Sequence, residues 1–298
     1  MKLVRSLIPA AAALLAATAA VAQAPRPDLD PALWVVKDPD TTIYLFGTVH
    51  ALDGKGDWFN DEVRTAFDRS SELVMEIITP EDPTAVVPLV QKYAIDSSGK
   101  SLTSKLSPKH QAMLAEKLKG LGMPATAFDN FRPFFAAMTL SVLDMQRLGI
   151  KPEHGAEKVL TGAAKERKIA IGEVETMEQQ MAMLNALSEA EQVRLLEKTL
   201  EDSAKTKEML DKMMGAWGSG NAEAVAALVN ETNTTSPALY KLLIRDRNEA
   251  WAKWIDDRLD KPGTVFMAVG AGHLAGGDSV QRFLKDRGIA SSRVPAAR

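Results

Sequence analysis

Short apolar runs lie near both ends of this chain, and a long amphipathic stretch separates them. Residues 33–37 and 41–46 have strand character, and the turn composition Asp38-Pro39-Asp40 stands between them. We therefore predict a β-hairpin. A third apolar run, residues 72–78, is closed by Pro80, as is typical of a buried strand.

The middle of the chain has mainly helical spacing. Ser107-Pro108 predicts the start of one helix, and Asp129 is the predicted N-cap of another that runs toward Gly149. One strand is predicted inside this part, at residues 168–174, because its apolar alternation differs from that of its surroundings. Further helices are predicted at residues 157–168, at 188–217 with a break at 218–221, and at 237–259.

The C-terminal part predicts a βαβ unit, with a strand at residues 264–269, a helix at 278–286 and a strand near 289–294. Because strands occur at both ends and once in the middle, one sheet must be assembled from distant parts. The expected fold class is α+β, of mixed α/β type, in a single domain with a central β-sheet built from N-terminal, middle and C-terminal strands and a large helical insert. We expect this domain to span residues 23–298, with a core of about 32–295 and the insert at about 105–260.

Composition narrows the class of protein. A chain of 298 residues with 46% hydrophobic and 25% charged residues is ordinary globular material, which excludes disordered and fibrous classes. The net charge of −3 comes from interspersed acids and bases, so no nucleic-acid partner is indicated. Because the chain has no cysteine, disulfides, lipidation of a cysteine and thiolate metal sites are excluded.

Residues 1–22 resemble a signal peptide. Lys2 and Arg5 precede an apolar run of about 15 residues, and small residues follow it. We favour cleavage after Ala22 over cleavage after Ala24, since the second would place Pro25 directly after the cut. A membrane anchor is the competing interpretation, but the run is shorter than the roughly 20 residues that span a bilayer. The expected location is the bacterial periplasm, with no transmembrane segment after cleavage.

Two histidines follow strands in the same way. Gly47-Thr48-Val49-His50 and Gly270-Ala271-Gly272-His273 each place a histidine three residues beyond a glycine at a strand end. Ligands of α/β sheets bind at the carboxyl ends of strands, so we expect His50 and His273 to serve one site. A lone strand-end histidine would more simply be a structural cap, but the chain has only four histidines. We expect the other two, His110 and His154, on the surface.

Glu76 ends a predicted buried strand, where a carboxylate is costly unless it is paired or bound to a cation. It is either a metal ligand or general base, or it forms an ion pair with an arginine. Glu173 and Glu175 leave the middle strand similarly, and Glu175 is the better candidate to face inward. Two histidines with carboxylates suit a divalent cation such as Zn, Mn, Co or Fe, which makes hydrolysis the natural chemistry.

Arg247 and Asn248 lie in a predicted helix that leads toward the second histidine. A solvated helix face is the default interpretation of that charged run, although the pair is also suited to holding a substrate oxyanion or carboxylate. The turn at residues 270–276 only approaches a dinucleotide fingerprint, because its third glycine comes one residue late and no acidic residue follows. A nicotinamide site is therefore not expected.

These residues resemble the TraB/GumN family, which is related to the Tiki metalloproteases. The resemblance covers nearly the whole chain after the predicted signal. It rests on Ala32-Leu33-Trp34, residues 44–50, residues 72–76, Gly172-Glu173-Val174-Glu175-Thr176, Arg247-Asn248-Glu249-Ala250-Trp251 and residues 269–276.

The resemblance implies that His50 and His273 are paired metal ligands and that Glu76 is their acidic partner. It also implies that Arg247 and Asn248 line the site, and it supports Glu175. We therefore expect a metal-dependent hydrolase of the peptidase type, acting on an unidentified peptide or small molecule. The alternative is a non-catalytic metal- or haem-binding periplasmic protein, since a haem-binding lipoprotein shares a related fold.

The chain departs from the family pattern at two places. Pro133-Phe134 stands where the family often has Pro-Trp, and Gly155-Ala156-Glu157 stands where it often has Gly-x-Asp. Neither departure is expected to involve the histidines. We expect them to affect the helical insert and the choice of substrate rather than the metal site.

Overall fold

The computed structural model describes residues 26–233 and 236–296, except for the side chains of residues 230–233. The predicted signal peptide and both candidate cleavage points lie outside the described residues. Within the described part of the chain, every helix is too short or too polar to cross a lipid bilayer.

A six-stranded sheet forms the centre of the fold, in the order β4-β3-β5-β2-β1-β6. Neighbouring strands from β4 to β2 run parallel, while β1 is antiparallel to both β2 and β6. The predicted hairpin is confirmed, and its turn is fixed by Asp38, whose Oδ1 accepts hydrogen bonds from the backbone N–H groups of Asp40 and Thr41. The strands are β1 Leu33–Lys37, β2 Thr41–Thr48, β3 Glu72–Met75, β4 Ala170–Glu173, β5 Gly263–Gly270 and β6 Ser291–Arg293.

Ten helices of seven or more residues lie in the described part of the chain. Five of them begin after a residue whose side chain accepts a hydrogen bond from the first turn: Ser107, Thr176, Ser188, Asn221 and Ser279. The helices are α1 Asp61–Arg69, α2 Pro108–Gly120, α3 Pro133–Arg147, α4 Ala156–Arg167, α5 Met177–Asn185, α6 Glu189–Asp202, α7 Thr206–Gly218, α8 Ala222–Asn233, α9 Asp246–Leu259 and α10 Val280–Asp286.

The predicted N-cap at Asp129 is wrong. The helix begins only at Pro133, because Phe131 forms a β-bridge with Ile95 and residues 125–130 form hydrogen-bonded turns instead of the first turn of a helix. Asp129 instead accepts hydrogen bonds from the backbone N–H and the hydroxyl of Thr103, at 3.1 and 2.7 Å. Its carboxylate ties two loops together.

Helices cover both faces of the sheet, which confirms a mixed α/β architecture. One face packs against α1, α4 and the indoles of Trp58 and Trp217. The other face packs against α9 and α10. A third apolar cluster joins α2, α3 and α6 away from the sheet. Within residues 105–260, therefore, α4, β4 and α9 belong to the sheet layers, and the separate helical cluster is smaller than the whole interval.

The four parallel strands end at one edge of the sheet. Thr48 at the end of β2 is in register with Gly270 at the end of β5, and β3 lies on the other side of β5. The chain therefore delivers His50, His273, Glu76 and Glu175 to the same edge, each one to three residues beyond a strand. This is where ligands of parallel sheets bind.

Candidate functional site

Three of the predicted site residues converge at Gly270. A Cβ atom placed on Gly270 would lie 3.4 Å from Glu76 Oε2, 3.4 Å from His273 Cδ2 and 3.9 Å from His50 Nε2. Glycine leaves this volume free of side-chain atoms. The two histidines and the carboxylate therefore surround one small space above the end of β5.

Arg247 lies beside that space and is almost fully buried, with 9% of its surface exposed. Its Nη2 donates to Glu76 Oε1 at 2.6 Å and to Glu175 Oε2 at 2.8 Å, and its Nε donates to Glu175 Oε1 at 2.9 Å. Its Nη1 donates to the carbonyl of Leu243 at 3.1 Å and lies 3.2 Å from His273 Nε2. All five N–H donors of the guanidinium are thus used.

The contact between Arg247 Nη1 and His273 Nε2 determines the tautomer of His273. A guanidinium can only donate, so His273 Nε2 must accept, and the ring proton lies on Nδ1. Nδ1 donates in turn to Asn248 Oδ1 at 2.6 Å, and Asn248 Nδ2 donates to the carbonyl of Asp278 at 2.6 Å. Burial and the nearby Arg247 charge lower the pKa of His273 to about 3, so its imidazole is neutral at physiological pH.

Glu76 is ionised. Burial opposes its charge, but Arg247 and the two histidines outweigh burial and lower the pKa of Glu76 to about 2. Its Oε1 accepts from Arg247 and from Gln180 Nε2, which lies 2.9 Å away. Its Oε2 accepts from the backbone N–H of Gly270 at 3.1 Å and faces the space between the histidines.

His50 lies at the outer side of the site, where 70% of its side chain is exposed. Its Nδ1 is 2.6 Å from Glu157 Oε1 in the first turn of α4, and this hydrogen bond raises the pKa of His50 to about 9. Gly155 permits the contact, because a Cβ at that position would lie 2.1 Å from the carbonyl oxygen of His50. Any side chain there would push α4 away from the histidine.

Glu157 overturns one expectation from the sequence. The departure from Gly-x-Asp at residues 155–157 was not expected to involve the histidines, yet its carboxylate holds His50. The reason is that the first turn of α4 packs against the loop after β2, with Ala156 N–H donating to the carbonyl of Val49. The other departure, Phe134, is fully buried in α3.

The remaining candidates have definite places. Glu175 faces inward, as predicted, and pairs with Arg247, whereas Glu173 accepts from the backbone N–H of Ile78 at 2.6 Å. The arginine partner offered as the alternative explanation for Glu76 is present, in Arg247. Asn248 is completely buried and uses its amide to orient His273, so it does not face a substrate.

Of the two remaining histidines, His154 is exposed, as expected. The expectation that His110 lies on the surface is wrong, because only 9% of that residue is exposed. Its ring nitrogens lie 2.9 Å from Glu197 and 3.1 Å from Glu201 on α6, a helix far along the chain.

The donor types at the site suit a divalent metal ion. Each imidazole has Nδ1 bound to an oxygen acceptor, Glu157 or Asn248, which is how metal-ligating histidines are commonly oriented through the other nitrogen. The candidate ligand atoms, however, lie further apart than those of a compact metal site. Among the described residues, His50, Glu76 and His273 do not bring one ligand atom each within 4.8 Å of one another. Arg247 contacts two of these three side chains, Glu76 and His273.

Sequence reasoning missed three residues of the site. Glu157 holds His50, Gln180 donates to both Glu76 and Glu175, and Trp251 donates from Nε1 to Glu175 Oε1 at 2.9 Å. The Trp251 ring also lies 4.5 Å from the imidazole of His273, centroid to centroid. Trp251 was detectable in principle, since it stands four residues after Arg247 on the same helix face. No local signal marks Gln180.

Known proteins share the sequence pattern of this chain. The sequence profile of the TraB/PrgY/gumN family matches residues 32–293. The chain is 26% identical over 257 residues to the uncharacterized protein YbaP of Escherichia coli (strain K12), covering 86% of this chain and 92% of YbaP. An uncharacterized protein of Treponema pallidum (strain Nichols) is 22% identical over 271 residues, covering 85% of this chain and 80% of the relative. No solved structure matches the chain.

Proposed function

This chain belongs to the TraB/PrgY/gumN family, and on that premise we propose that it is an exported, metal-dependent hydrolase of the peptidase type. The observation that carries the proposal is the paired orientation of His50 and His273. Each imidazole is held through Nδ1 by an oxygen acceptor, and both approach the space at Gly270 together with Glu76 Oε2. The composition of residues 1–22 supports export to the periplasm.

The residues that would hold the cation are His50, His273 and Glu76. A bound Zn, Mn, Co or Fe ion would polarise a substrate carbonyl and lower the pKa of a water molecule. Glu157 and Asn248 are positioning residues, because they set the tautomer and the direction of the two imidazoles. His50 carries an extra proton at neutral pH and must release it before its Nε2 can bind a cation.

Glu175 and Arg247 form the wall of the site on the side of α9. The Glu175 carboxylate accepts from Arg247, Trp251 and Gln180, and so fixes the guanidinium against Glu76. A guanidinium so placed can donate to a substrate oxyanion only if it gives up one of these partners. In this proposal Glu76, Glu175, Arg247 and Asn248 support the reaction through charge and orientation.

The second candidate function is non-catalytic binding of a metal ion or haem. One observation favours it: Glu76 Oε1 already accepts two hydrogen bonds and Oε2 accepts a third. A carboxylate has about four acceptor sites, so one site of Glu76 remains, and Glu76 cannot both bind a cation and act as the general base of a hydrolase. A Soret band after haem addition would support this candidate.

The direct test fills the space at Gly270. We expect Gly270→Ala to fold normally, because its methyl group would make ordinary van der Waals contacts, but to lose binding of Co²⁺, Mn²⁺ and Zn²⁺ in calorimetry. Gly277→Ala, in the same loop and facing open space, is the matched control and should bind like the wild type. His50→Ala and His273→Ala should lose binding as well, whereas His154→Ala should not.

Peptide cleavage with and without added metal then separates the two functions. Metal binding with metal-stimulated cleavage supports the hydrolase. Metal binding without cleavage of any peptide in a mixed-sequence library supports the non-catalytic alternative. The shared site itself is refuted if the two histidine variants bind these metals as well as the wild type does. It is also refuted if none of the three metals binds either to the wild type or to a folded variant that lacks Arg247.

A further inference from the structure

We propose that Arg247 is an internal cation of this site, which competes with a divalent metal ion for Glu76 and His273. The inference rests on the proposed function, since it concerns the same metal. The Arg247 guanidinium contacts two of the three side chains that would hold the ion, Glu76 and His273. Metal binding must therefore displace these contacts.

All N–H groups of the Arg247 guanidinium are engaged in hydrogen bonds. Five N–H donors meet Glu76, Glu175, His273 and the Leu243 carbonyl, at distances from 2.6 to 3.2 Å. Metal ligation by His273 requires the Nε2 lone pair, and this lone pair accepts from Arg247. This lone pair cannot bind a metal ion and accept a hydrogen bond from Arg247 at the same time. Arg247 and a metal ion are therefore alternative partners of His273.

Arg247 also balances part of the negative charge at the site. The carboxylates of Glu76 and Glu175 lie close together, and Gln180 Nε2 donates a hydrogen bond to each of them. With Arg247 in place the three side chains carry a net charge of −1. Without it they carry −2, which a divalent cation would neutralise. An arginine that serves two buried carboxylates thus supplies half of the charge that the metal would supply.

Arg247 is anchored by the helix that carries it. A π-helical turn, Lys241–Arg245, directly precedes α9. Such turns lack the regular α-helical hydrogen bonds, and here the Leu243 carbonyl accepts from Arg247 Nη1. The Arg247 side chain also stacks over Trp251, with its Cζ 4.8 Å from the ring centroid. The backbone and the indole both hold the guanidinium at the site, independently of any ligand.

The test measures binding of Co²⁺ alone, by calorimetry and by the visible absorption of Co²⁺. The decisive variant is the double substitution Arg247→Met with Glu175→Gln, because it frees Glu76 and His273 while keeping the net charge at −1. We expect it to bind Co²⁺ at least about tenfold more tightly than the wild type, within the usual range of coupling between competing ligands. Methylguanidinium should weaken Co²⁺ binding to this variant and leave the wild type unaffected.

Arg258→Met is the matched control. Arg258 lies on the same helix, α9, and pairs with Glu72 on the same strand that leads to Glu76, but at the opposite edge of the sheet. Its loss should leave Co²⁺ affinity unchanged. Circular dichroism establishes that each variant is folded. If the double variant of Arg247 and Glu175 does not fold, Arg247→Lys takes its place. Lysine keeps the positive charge but has three N–H donors where arginine has five. This variant should bind Co²⁺ more tightly than the wild type.

The outcomes separate the two proposals. Equal Co²⁺ affinity in the wild type and in the folded Arg247 variants overturns the competition and leaves the metal site standing. If neither the wild type nor the variants bind Co²⁺, the proposed function fails, and the competition fails with it. Tighter binding that methylguanidinium does not reverse also contradicts the inference, because the gain would then not come from an emptied guanidinium site.

Discussion

The two strand-to-histidine segments have the same local design and opposite surroundings. His50 is largely exposed, contacts the carboxylate of Glu157 and has a pKa raised to about 9. His273 is 6% exposed, contacts the amide of Asn248 and has a pKa lowered to about 3. At neutral pH one imidazole is charged and the other is neutral. A repeated local sequence therefore places a histidine at the sheet edge without setting its chemistry.

The difference originates in the positions of β2 and β5. The register pairs Thr48 with Gly270, so the second glycine–histidine segment starts one residue further along its strand than the first. β5 lies between β2 and β3, and its segment turns at Ala271–Leu274 beneath Trp251 of α9. β2 borders the antiparallel β1, and its segment turns outward toward α4. The inner copy is covered, and the outer copy is open to solvent.

The largest expected effect comes from breaking the buried network beside His273. Arg247→Met leaves two buried carboxylates without their cation and should lower the free energy of unfolding by about 3–5 kcal/mol. Arg258→Met removes a similar ion pair whose Glu72 partner is 29% exposed, and should cost about 1 kcal/mol or less. Urea denaturation of both variants measures the difference. Similar losses would show that the site interior is no different from the opposite sheet edge.

A smaller effect is expected from Asn248→Ala. The substitution removes the acceptor for His273 Nδ1–H and the donor for the Asp278 carbonyl, and buried groups left unpaired cost about 1–3 kcal/mol. Asn248→Asp keeps the acceptor and should retain part of the lost stability. Urea denaturation near pH 7 is the measurement. If both variants are as stable as the wild type, Asn248 does not hold His273.

The smallest effect on stability concerns His50. Its folded-state pKa of about 9 exceeds its ordinary value of 6.5, so its stabilising contribution is complete below about pH 6.5 and is lost as the pH rises toward 9. Since His50 is 70% exposed and the pair is screened by solvent, Glu157→Gln should cost about 1 kcal/mol or less at pH 6. It should also remove this pH dependence.

Nuclear magnetic resonance titration of the imidazole protons checks the same contrast directly. In the wild type, His50 should titrate near pH 9, and in Glu157→Gln it should move back toward 6.5. His273 should stay neutral throughout that range in both proteins, because its pKa is about 3. Two histidines that titrate together would contradict the assignment of different environments.

Local patterns were sufficient for much of the fold. The hairpin, the buried strand before Glu76, the middle strand and the C-terminal βαβ unit follow from apolar runs and turn residues that act over a few positions. The helix start at Ser107-Pro108 is confirmed for the same reason. Asp129 failed as a cap because a bridge to Ile95, far from it in sequence, competed with the local signal.

The positions of the candidate site residues also follow from local patterns, whereas their partners do not. The sequence by itself determined that His50, His273, Glu76 and Glu175 come after strands, and parallel strands must deliver such residues to one edge. Only the tertiary structure decided their partners: Glu157 is 107 residues from His50, and Arg247 is 171 residues from Glu76. Those contacts depend on how α4 and α9 pack against the sheet. Packing over such separations is set by the whole core, so no local pattern carries it.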